Sequence, residues 1–265
     1  MSLEVLVEGP QTPSYDIVAV HGLNGHYLDT WRDKPGSPTA TLWLRDLLPE
    51  KLPGCRVMTF EYDASIHSMS TGSVRSNAKA LCERLYDKRE DVNFKETPIV
   101  FVGHSLGGIV IKQALSLAED DPELKSIATD TKGIVFFGTP HRGSDAAQWG
   151  LLAKNIAGAV VPGLRSGLLK ALQRNSDDLY KISEDFHRLS RKYAIVSFYE
   201  EYAYRIWGKV IVDKSSAIMG LPHEQNMMLS GTHTSMCRFS KGDKQFDAVW
   251  RRIKRAGAGP PTHLT

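Results

Sequence analysis

Residues 98–111 read PIVFVGHSLGGIVI, and this stretch decides the fold of the chain. Four β-branched and aromatic residues lead into a Gly-x-Ser-x-Gly turn, and an apolar segment of helical character follows at once. A strand, a sharp turn and a helix in this order form a nucleophile elbow. Such a turn strains the backbone at Ser105, while Gly103 and Gly107 let neighbouring backbone come close without a Cβ atom. The stretch therefore predicts that the Ser105 hydroxyl stands at a helix N-terminus, above the edge of a sheet.

The composition excludes several classes of protein. The chain has 265 residues, of which 42% are hydrophobic and 24% charged, as in a globular protein with a full core. Its formal charge of +3 gives no strong attraction to nucleic acid, and no apolar run approaches the ~20 residues that span a bilayer. Residues 1–11 lack the basic start and apolar core of a secretory signal. Cys55, Cys82 and Cys237 are widely separated, which favours reduced thiols, so we expect an intracellular, cytoplasmic protein.

Short apolar runs alternate with helical patterns along the chain. The predicted strands are residues 3–7, 16–20, 56–60, 99–102, 133–137, 194–198 and 210–212. The predicted helices are residues 43–48 (ended by Pro49), about 74–89, the elbow helix to about Glu119, and a closing helix marked by Phe246, Val249, Trp250 and Ile253. This alternation predicts an α/β fold with a mostly parallel central sheet and helices on both faces.

We expect one domain over residues 1–255. Residues 145–191 carry no strand pattern and predict several helices, which would form a helical cap over the carboxyl ends of the strands, where substrates bind. The alternative is that apolar residues simply pack this insertion onto the sheet. Those apolar residues are Leu151, Leu152, Ile156, Val160, Val161, Leu164, Leu168 and Leu169. The Gly- and Pro-rich residues 256–265 are expected to be a disordered tail or a linker.

The elbow serine needs a histidine that removes its proton and an acid that orients the histidine. In chains with this elbow, the acid follows a late strand and the histidine follows the last one. Downstream of the last predicted strand lie His223, His233 and His263. His263 lies in the predicted tail, and His223 lies beside Glu224 in a solvated turn. His233 lies in a short polar loop just before the closing helix and is predicted as the base, with a structural loop histidine as the alternative.

Three carboxylates near the late strands are candidates for the acid. Glu200 lies two residues past Phe198, at the carboxyl end of the penultimate predicted strand. Because side chains alternate along a strand, Glu200 and Glu201 are expected to point in different directions. Asp213 ends the last predicted strand. We rank Glu200 first, Asp213 second and Glu201 third, with a surface carboxylate as the alternative for each.

The negative charge that develops on an attacked carbonyl needs two fixed N–H donors. The amide that follows the nucleophile, that of Leu106, supplies one of them. The loop of residues 21–25, after the first central strand, would supply the other, and we choose Leu23. Because His21 precedes the nucleophile in the chain, we expect it to hold this loop by hydrogen bonds and not to act as a base.

Three glycine-containing segments carry a resemblance to a known family. They are HGLNG at residues 21–25, GHSLGG at residues 103–108 and FGTPHRGS at residues 137–144. In this order they resemble the α/β-hydrolase superfamily. More narrowly, they resemble its serine-esterase and lipase-like group with a Gly-Thr-Pro-His-x-Gly-Ser signature, over about residues 15–250. That group includes SERAC1-type proteins and the hydrolase domains of fungal NACHT and repeat receptors.

The resemblance implies an α/β-hydrolase fold, with Ser105 as the nucleophile and His233 as the base. In the group the acid is a glutamate after the penultimate strand, which favours Glu200 over Asp213. His141, in the third segment, is expected to have a supporting place, either buttressing the elbow or lining the acyl site. The resemblance also allows fusion of this domain to receptor or repeat domains in a longer protein.

The expected function is hydrolysis of a lipid or other acyl ester through an acyl intermediate on Ser105. Two alternatives remain open: acyl transfer on phospholipid, and a signalling or interaction module with weak or no esterase activity. No Cys/His spacing is typical of zinc and no Gly-rich loop matches a phosphate-binding pattern, so we expect no metal or cofactor and no nucleic-acid partner. The basic residues of the closing helix are expected to form a solvated face and, secondarily, a peripheral membrane contact. They are Arg251, Arg252, Lys254 and Arg255.

Overall fold

A seven-stranded sheet forms the centre of the molecule. The computed structural model describes residues 1–65, 71–90, 96–142, 151, 154–158, 176–202 and 210–261. The strands are β1 (Ser2–Val7), β2 (Tyr15–Val20), β3 (Cys55–Glu61), β4 (Ile99–His104), β5 (Thr131–Phe137), β6 (Ala194–Glu200) and β7 (Gln225–Leu229). Their order is β1-β3-β2-β4-β5-β6-β7, in which β1 pairs antiparallel with β3 and the other neighbours pair in parallel. The predicted α/β class and mostly parallel sheet are confirmed.

Helices cover both faces of this sheet. The helices with described bounds are α1 (Trp43–Asp46), α2 (Leu48–Lys51), α3 (Thr71–Glu90), α4 (Gly107–Asp120), α5 (Lys125–Asp130), α6 (Ser176–Leu189), α7 (Lys214–Ala217) and α8 (Lys244–Gly257). One core packs α3, α4 and α6 on one face, through Leu81, Ile111 and Phe186. A second core packs α1 and α8 on the other face, through Trp43 and Val249. Within the described ranges, no helix combines the length and the apolar character needed to cross a membrane.

A third apolar cluster lies at the carboxyl ends of the strands. It joins Leu23, which follows β2, and Leu106, which follows β4, to Leu179 of α6 and to Ile211, which follows β6. Because the carboxyl ends of parallel strands meet at one edge of the sheet, the loops after them lie close together. This is the edge at which open α/β sheets bind their ligands.

The last strand lies elsewhere than predicted. Residues 210–212 do not form a strand; they lead into α7, and Asp213 caps that helix. The last strand is β7, which the pattern did not predict. Its sequence, QNMML, lies at an edge of the sheet with only the last residue buried, so it carries neither β-branched residues nor an apolar alternation. His223 consequently precedes the last strand, whereas His233 follows it.

Two predicted boundaries also differ. Pro49 does not end the first helix; it lies in the first turn of α2, where a missing N–H costs no intrahelical hydrogen bond. Ala256 and Gly257, predicted as the start of the tail, belong to α8. Ala256 is buried, and a side chain at Gly257 would collide with Tyr15. Residues 262–265 lie outside the described residues.

The predicted cap, residues 145–191, is described only in part. Its C-terminal part forms α6, which packs along α4 and contributes Phe186 to the core. Ile156 and Leu179 reach the third cluster. The other apolar residues of the prediction lie outside the described residues, except the exposed Leu151; they are Leu152, Val160, Val161, Leu164, Leu168 and Leu169. The helix α6 thus belongs to the crossover from β5 to β6. That the rest of residues 145–191 forms a cap over the carboxyl ends of the strands stays a prediction.

Candidate active site

Ser105 lies at the turn between β4 and α4 in a strained backbone conformation. Its φ is 53°, in the left-handed region that a residue with a Cβ atom seldom adopts. The Ser105 N–H donates to the Phe137 carbonyl at 2.8 Å, and the Thr139 hydroxyl donates to the Ser105 carbonyl at 3.0 Å. A side chain at Gly107 would collide with the His21 carbonyl, so glycine is required there. The end of β5 and the residues after it therefore hold the turn in place.

His233 faces Ser105 from the turn after β7. The His233 Nε2 and Ser105 Oγ atoms are 2.9 Å apart, and His233 is fully buried. The turn is closed by the Met236 N–H, which donates to the Thr232 carbonyl at 3.0 Å. Burial lowers the pKa of His104 to about 3, so its ring is neutral, and its Nε2 donates to the His233 carbonyl at 2.8 Å. The elbow's own histidine thus fixes the backbone of His233.

Glu200 lies beside the other nitrogen of the His233 ring. It ends β6 and is buried, and its Oε1 atom is 3.5 Å from the His233 Nδ1 atom. The same oxygen accepts from the N–H groups of Ile211 at 3.0 Å and Val212 at 2.8 Å. Neither His233 Nδ1 nor Glu200 Oε2 has a hydrogen-bond partner among the described residues. The 3.5 Å between His233 Nδ1 and Glu200 Oε1 exceeds the length of a well-formed hydrogen bond. Such contacts often shorten only when substrate binds.

The two other candidates for the acid lie elsewhere. Asp213 is exposed and caps α7, where it accepts from the Ser216 N–H at 3.0 Å. Glu201 points away from Glu200 and accepts from the Ser230 hydroxyl at 2.6 Å near the surface. The residues that the structure brings together are Ser105, His233 and Glu200.

His141 lies beside the elbow helix and outside this group. The His141 ring is edge-on to that of Phe136, with ring centroids 4.6 Å apart. The backbone N–H of His141 donates to the Ser216 carbonyl at 2.7 Å. Burial lowers the pKa of His141 well below its usual value, and the nearby ammonium of Lys112 lowers it further. Neither ring nitrogen has a partner within the part of the chain that the structure describes. The described contacts of His141 are therefore with the supporting structure, and none is with Ser105 or His233.

Leu23 and Leu106, the predicted oxyanion donors, line the same small cavity. Gly22 lies so close to the elbow that a Cβ atom there would be 2.7 Å from the Ser105 Cβ atom. The hydrogen bonds between described residues leave the N–H groups of Leu23 and Leu106 free. Burial lowers the pKa of His21 to about 4, and its Nδ1 atom lies 3.1 Å from the Gly22 carbonyl oxygen. The loop is thus positioned so that a substrate carbonyl beside Ser105 could meet two amides.

The cavity itself has a volume of about 30 Å³ and walls that are mostly apolar. Its other lining residues are Tyr62, Asp63, Ala64, Val74, Asn77, Ile109, Val110 and Leu179. Tyr62, Asn77 and Leu179 were not predicted as site residues. They come from the segment after β3, from α3 and from α6, and no short-range pattern links those three segments.

The described side chains offer no grouping for a metal ion. No three His, Cys, Asp or Glu residues within the described ranges are arranged to hold one. The three cysteines are free and buried, as the sequence analysis expected of reduced thiols. Burial raises the pKa of Cys55 to about 11 and those of Cys82 and Cys237 to about 12, so all three are protonated thiols at neutral pH.

Comparison with known proteins identifies a family to which the chain is similar. Residues 12–157, more than half of the chain, match the family described as "Putative serine esterase (DUF676)". The chain is 28% identical over 249 residues to Protein SERAC1 of Danio rerio and 25% identical over 251 residues to Protein SERAC1 of Homo sapiens. Both alignments cover 86% of this chain but only 37% and 36% of those proteins. The chain thus spans little more than a third of the length of these relatives.

Solved structures share the fold. The crystal structure of the Bacillus licheniformis lipase BlEst2 has a TM-score of 0.54 at 18% identity, covering 95% of this chain and 97% of that chain. A soluble variant of the Saccharomyces cerevisiae monoglyceride lipase, in complex with a substrate analog, has a TM-score of 0.56 at 12% identity, covering 97% and 90%. At these identities the likeness shows the fold alone, and that fold is the predicted α/β-hydrolase fold.

Proposed function

Because the chain belongs to this serine esterase family, we propose that it hydrolyses carboxylic esters through an acyl intermediate on Ser105. The observation that carries the proposal is the 2.9 Å separation of the Ser105 Oγ and His233 Nε2 atoms at a strained, buried turn. Family and fold support a hydrolase; the ester substrate and the roles of the individual residues belong to the proposal.

In the proposed reaction, His233 Nε2 removes the Ser105 proton as the serine oxygen attacks the ester carbonyl. The N–H groups of Leu23 and Leu106 bind the negative charge that forms on the carbonyl oxygen. When the tetrahedral intermediate collapses, His233 gives its proton to the departing alkoxide and the acyl group stays on Ser105. A water molecule, activated by the same imidazole, then releases the carboxylic acid. Glu200 orients the His233 ring and stabilises its protonated form.

The cavity beside the two amides supports an acyl group as the substrate's reacting part. Val74, Ile109 and Leu179 supply an apolar wall within reach of the Leu23 and Leu106 backbone. Apolar walls favour the first carbons of an alkyl chain, because burying an unpartnered neutral polar group there costs ~2–7 kcal/mol and burying a charged group costs far more. We therefore propose a lipid or other acyl ester. Transfer of the acyl group to an alcohol uses the same intermediate, and only the acceptor differs.

A fluorophosphonate probe tests the proposal, because it reacts with an activated serine and not with an ordinary one. We expect labelling of the unmodified chain and none of Ser105→Ala. The matched control is Ser116→Ala, a serine on α4 whose hydroxyl donates to the Lys112 carbonyl at 3.1 Å, and it should label normally. Labelling that persists in Ser105→Ala would reject Ser105 as the nucleophile. A folded, unlabelled parent chain would instead favour the interaction module.

Product analysis separates hydrolysis from acyl transfer. The unmodified chain, without the fluorophosphonate, is given a short p-nitrophenyl ester with and without a glycerol-containing acceptor. We expect the free acid to be the main product in both cases. Acylated glycerol as the main product would replace the hydrolase with an acyltransferase that uses the same residues.

A further inference from the structure

The hydroxyl of Tyr62 contacts the loop that carries Leu23. Tyr62 follows β3, and its hydroxyl donates to the His21 carbonyl at 2.6 Å. The Tyr62 ring also stacks on the His21 imidazole, with ring centroids 4.5 Å apart and planes inclined by 18°. Burial raises the pKa of the Tyr62 hydroxyl, so the hydroxyl stays protonated and able to donate. Tyr62 therefore holds the loop through both its hydroxyl and its ring.

Hydrogen bonds fix successive peptide groups of this loop. The His21 carbonyl is held by Tyr62, and the Gly22 carbonyl accepts from the Gly25 N–H at 3.0 Å. In a trans peptide the C=O and N–H groups point in opposite directions. The Leu23 N–H shares its peptide with the Gly22 carbonyl, so it points away from Gly25. It donates to no described residue and is available to a ligand.

The same segment after β3 also forms a hydrogen bond to the residue that follows Leu23. The Asn24 N–H donates to the Ala64 carbonyl at 2.8 Å. On the near side, Gly22 packs directly against Ser105, where a Cβ atom would be only 2.7 Å from the serine Cβ atom. The free N–H of Leu23 is thus held next to the nucleophile by the Gly22–Gly25 hydrogen bond within the loop and by contacts from outside it.

We propose that Tyr62 is a positioning residue of the oxyanion hole. The inference rests on the proposed function, because it makes Tyr62 present the Leu23 N–H to the carbonyl that Ser105 attacks. Gly22 has wide backbone freedom, so the direction of this N–H depends on the fixed His21 carbonyl before it as well as on the hydrogen bond between the Gly22 carbonyl and the Gly25 N–H. Without the Tyr62 hydroxyl, the His21–Gly22 peptide can shift, and the contacts of the Gly22 carbonyl within the loop hold the Leu23 N–H less accurately towards the oxyanion. The donor acts mainly once the oxyanion forms, so the loss falls on kcat and not on KM.

The test is Tyr62→Phe, assayed with a short p-nitrophenyl ester. We expect kcat to fall about 10-fold with KM changed by less than about twofold, since losing a complete oxyanion donor costs about 10²–10³ in kcat. Affinity for a trifluoromethyl ketone, which forms an oxyanion when a serine adds to it, should fall by the same factor. The matched control is Tyr193→Phe, which removes a buried hydroxyl that has no partner among the described residues. It should leave both quantities unchanged.

Melting temperatures of both variants complete the test. A Tyr62→Phe chain that melts at a lower temperature but keeps kcat and ketone affinity would make Tyr62 merely structural and overturn the inference. An unmodified chain that neither hydrolyses esters nor labels with a fluorophosphonate overturns the proposed function and this role with it. An active parent chain with an equally active Tyr62→Phe variant overturns only this inference.

Discussion

Two buried polar clusters lie at opposite ends of the same sheet, and they are built differently. At the amino ends, both carboxylate oxygens of Asp16 accept from the Arg56 guanidinium, at 2.7 and 2.9 Å. Arg89 of α3 donates to the same carboxylate, to the Thr97 carbonyl and to Asp130. The charges of this amino-end cluster are therefore paired as well as buried.

The carboxyl-end cluster, Ser105, His233 and Glu200, is incompletely paired. His233 Nδ1 and Glu200 Oε2 are buried without a partner among the described residues, and Ser105 has a strained φ of 53°. In a fully paired buried cluster, removal of one partner is strongly destabilising, whereas unpaired groups and strain reduce stability already in the unmodified chain. Chains tolerate that reduction where a reaction uses the groups. Unmet hydrogen bonding together with strain, rather than buried charge, distinguishes the carboxyl-end cluster from the amino-end cluster.

Of the substitutions that test this comparison, Glu200→Gln in the carboxyl-end cluster should have the largest effect, and that effect is on activity. We expect kcat to fall about 10³–10⁴-fold, because an amide cannot stabilise the protonated His233 ring. The amide oxygen can still accept from Ile211 and Val212, so urea unfolding should change by less than about 1 kcal/mol. Glu201→Gln is the control from the neighbouring position and should keep kcat. A Glu200→Gln variant with nearly full activity would remove Glu200 from the proposed reaction.

The second largest loss is expected for Asp16→Asn in the amino-end cluster, and it is a loss of stability. The free energy of unfolding should fall by about 3–5 kcal/mol, because the variant leaves Arg56 and Arg89 buried without a full counter-charge. The folded fraction should keep the parent's kcat, since the cluster lies at the far end of the sheet. The control is Asp29→Asn, whose partly exposed ion pair with Arg32 should contribute less than about 1 kcal/mol. A loss of kcat without a loss of stability in Asp16→Asn would contradict the contrast.

Lys112 sharpens the comparison, because its amine is fully buried and no carboxylate among the described residues is hydrogen-bonded to it. Its Nζ atom donates to the Ser183 hydroxyl at 3.0 Å and lies 6.0 Å from the ring centroids of Phe136 and Phe186. Burial lowers the pKa of Lys112 from 10.5 to about 7, and the nearby Glu224 carboxylate opposes this shift. The folded chain therefore gives up a proton that the unfolded chain keeps up to pH 10.5.

This shift predicts how stability depends on pH. Between pH 7 and pH 10.5 the unfolded chain binds more protons, so the contribution of Lys112 to stability rises with pH across this window and is least favourable below pH 7. Lys112→Met should therefore be the more stable chain at pH 6, by an amount on the order of 5 kcal/mol, and its advantage should shrink towards pH 10. Urea unfolding at several pH values measures this. A difference that does not change with pH would contradict the shifted pKa.

Much of the fold could be predicted because central strands are buried on both faces. Such strands read as continuous apolar runs, and β2, β4 and β5 were predicted close to their observed bounds for that reason. The strand β7 could not be predicted, because an edge strand needs little apolar surface. Residues 210–212 were wrongly predicted as a strand because they are apolar without belonging to the sheet. Their side chains join the apolar cluster at the strand ends while two of their N–H groups bind Glu200, and neither contact is local in sequence.

Chain order and turn chemistry were enough to predict the three residues of the candidate site. Ser105 is marked by its own turn, and Glu200 and His233 follow from the order of strands. The contacts that hold them are different. Tyr62 and His104 act through bonds to the backbone of residues 41 and 129 positions away, and such bonds leave no short-range pattern.

The central claim is that Ser105 carries the acyl group. The most direct measurement is mass spectrometry of the chain mixed with a short p-nitrophenyl ester and quenched in acid, with the modified peptide located after digestion. The account predicts one acyl group, on the peptide that contains Ser105, present in Ser116→Ala and absent in Ser105→Ala. An acyl group on another residue, or undiminished ester hydrolysis by Ser105→Ala, would contradict it.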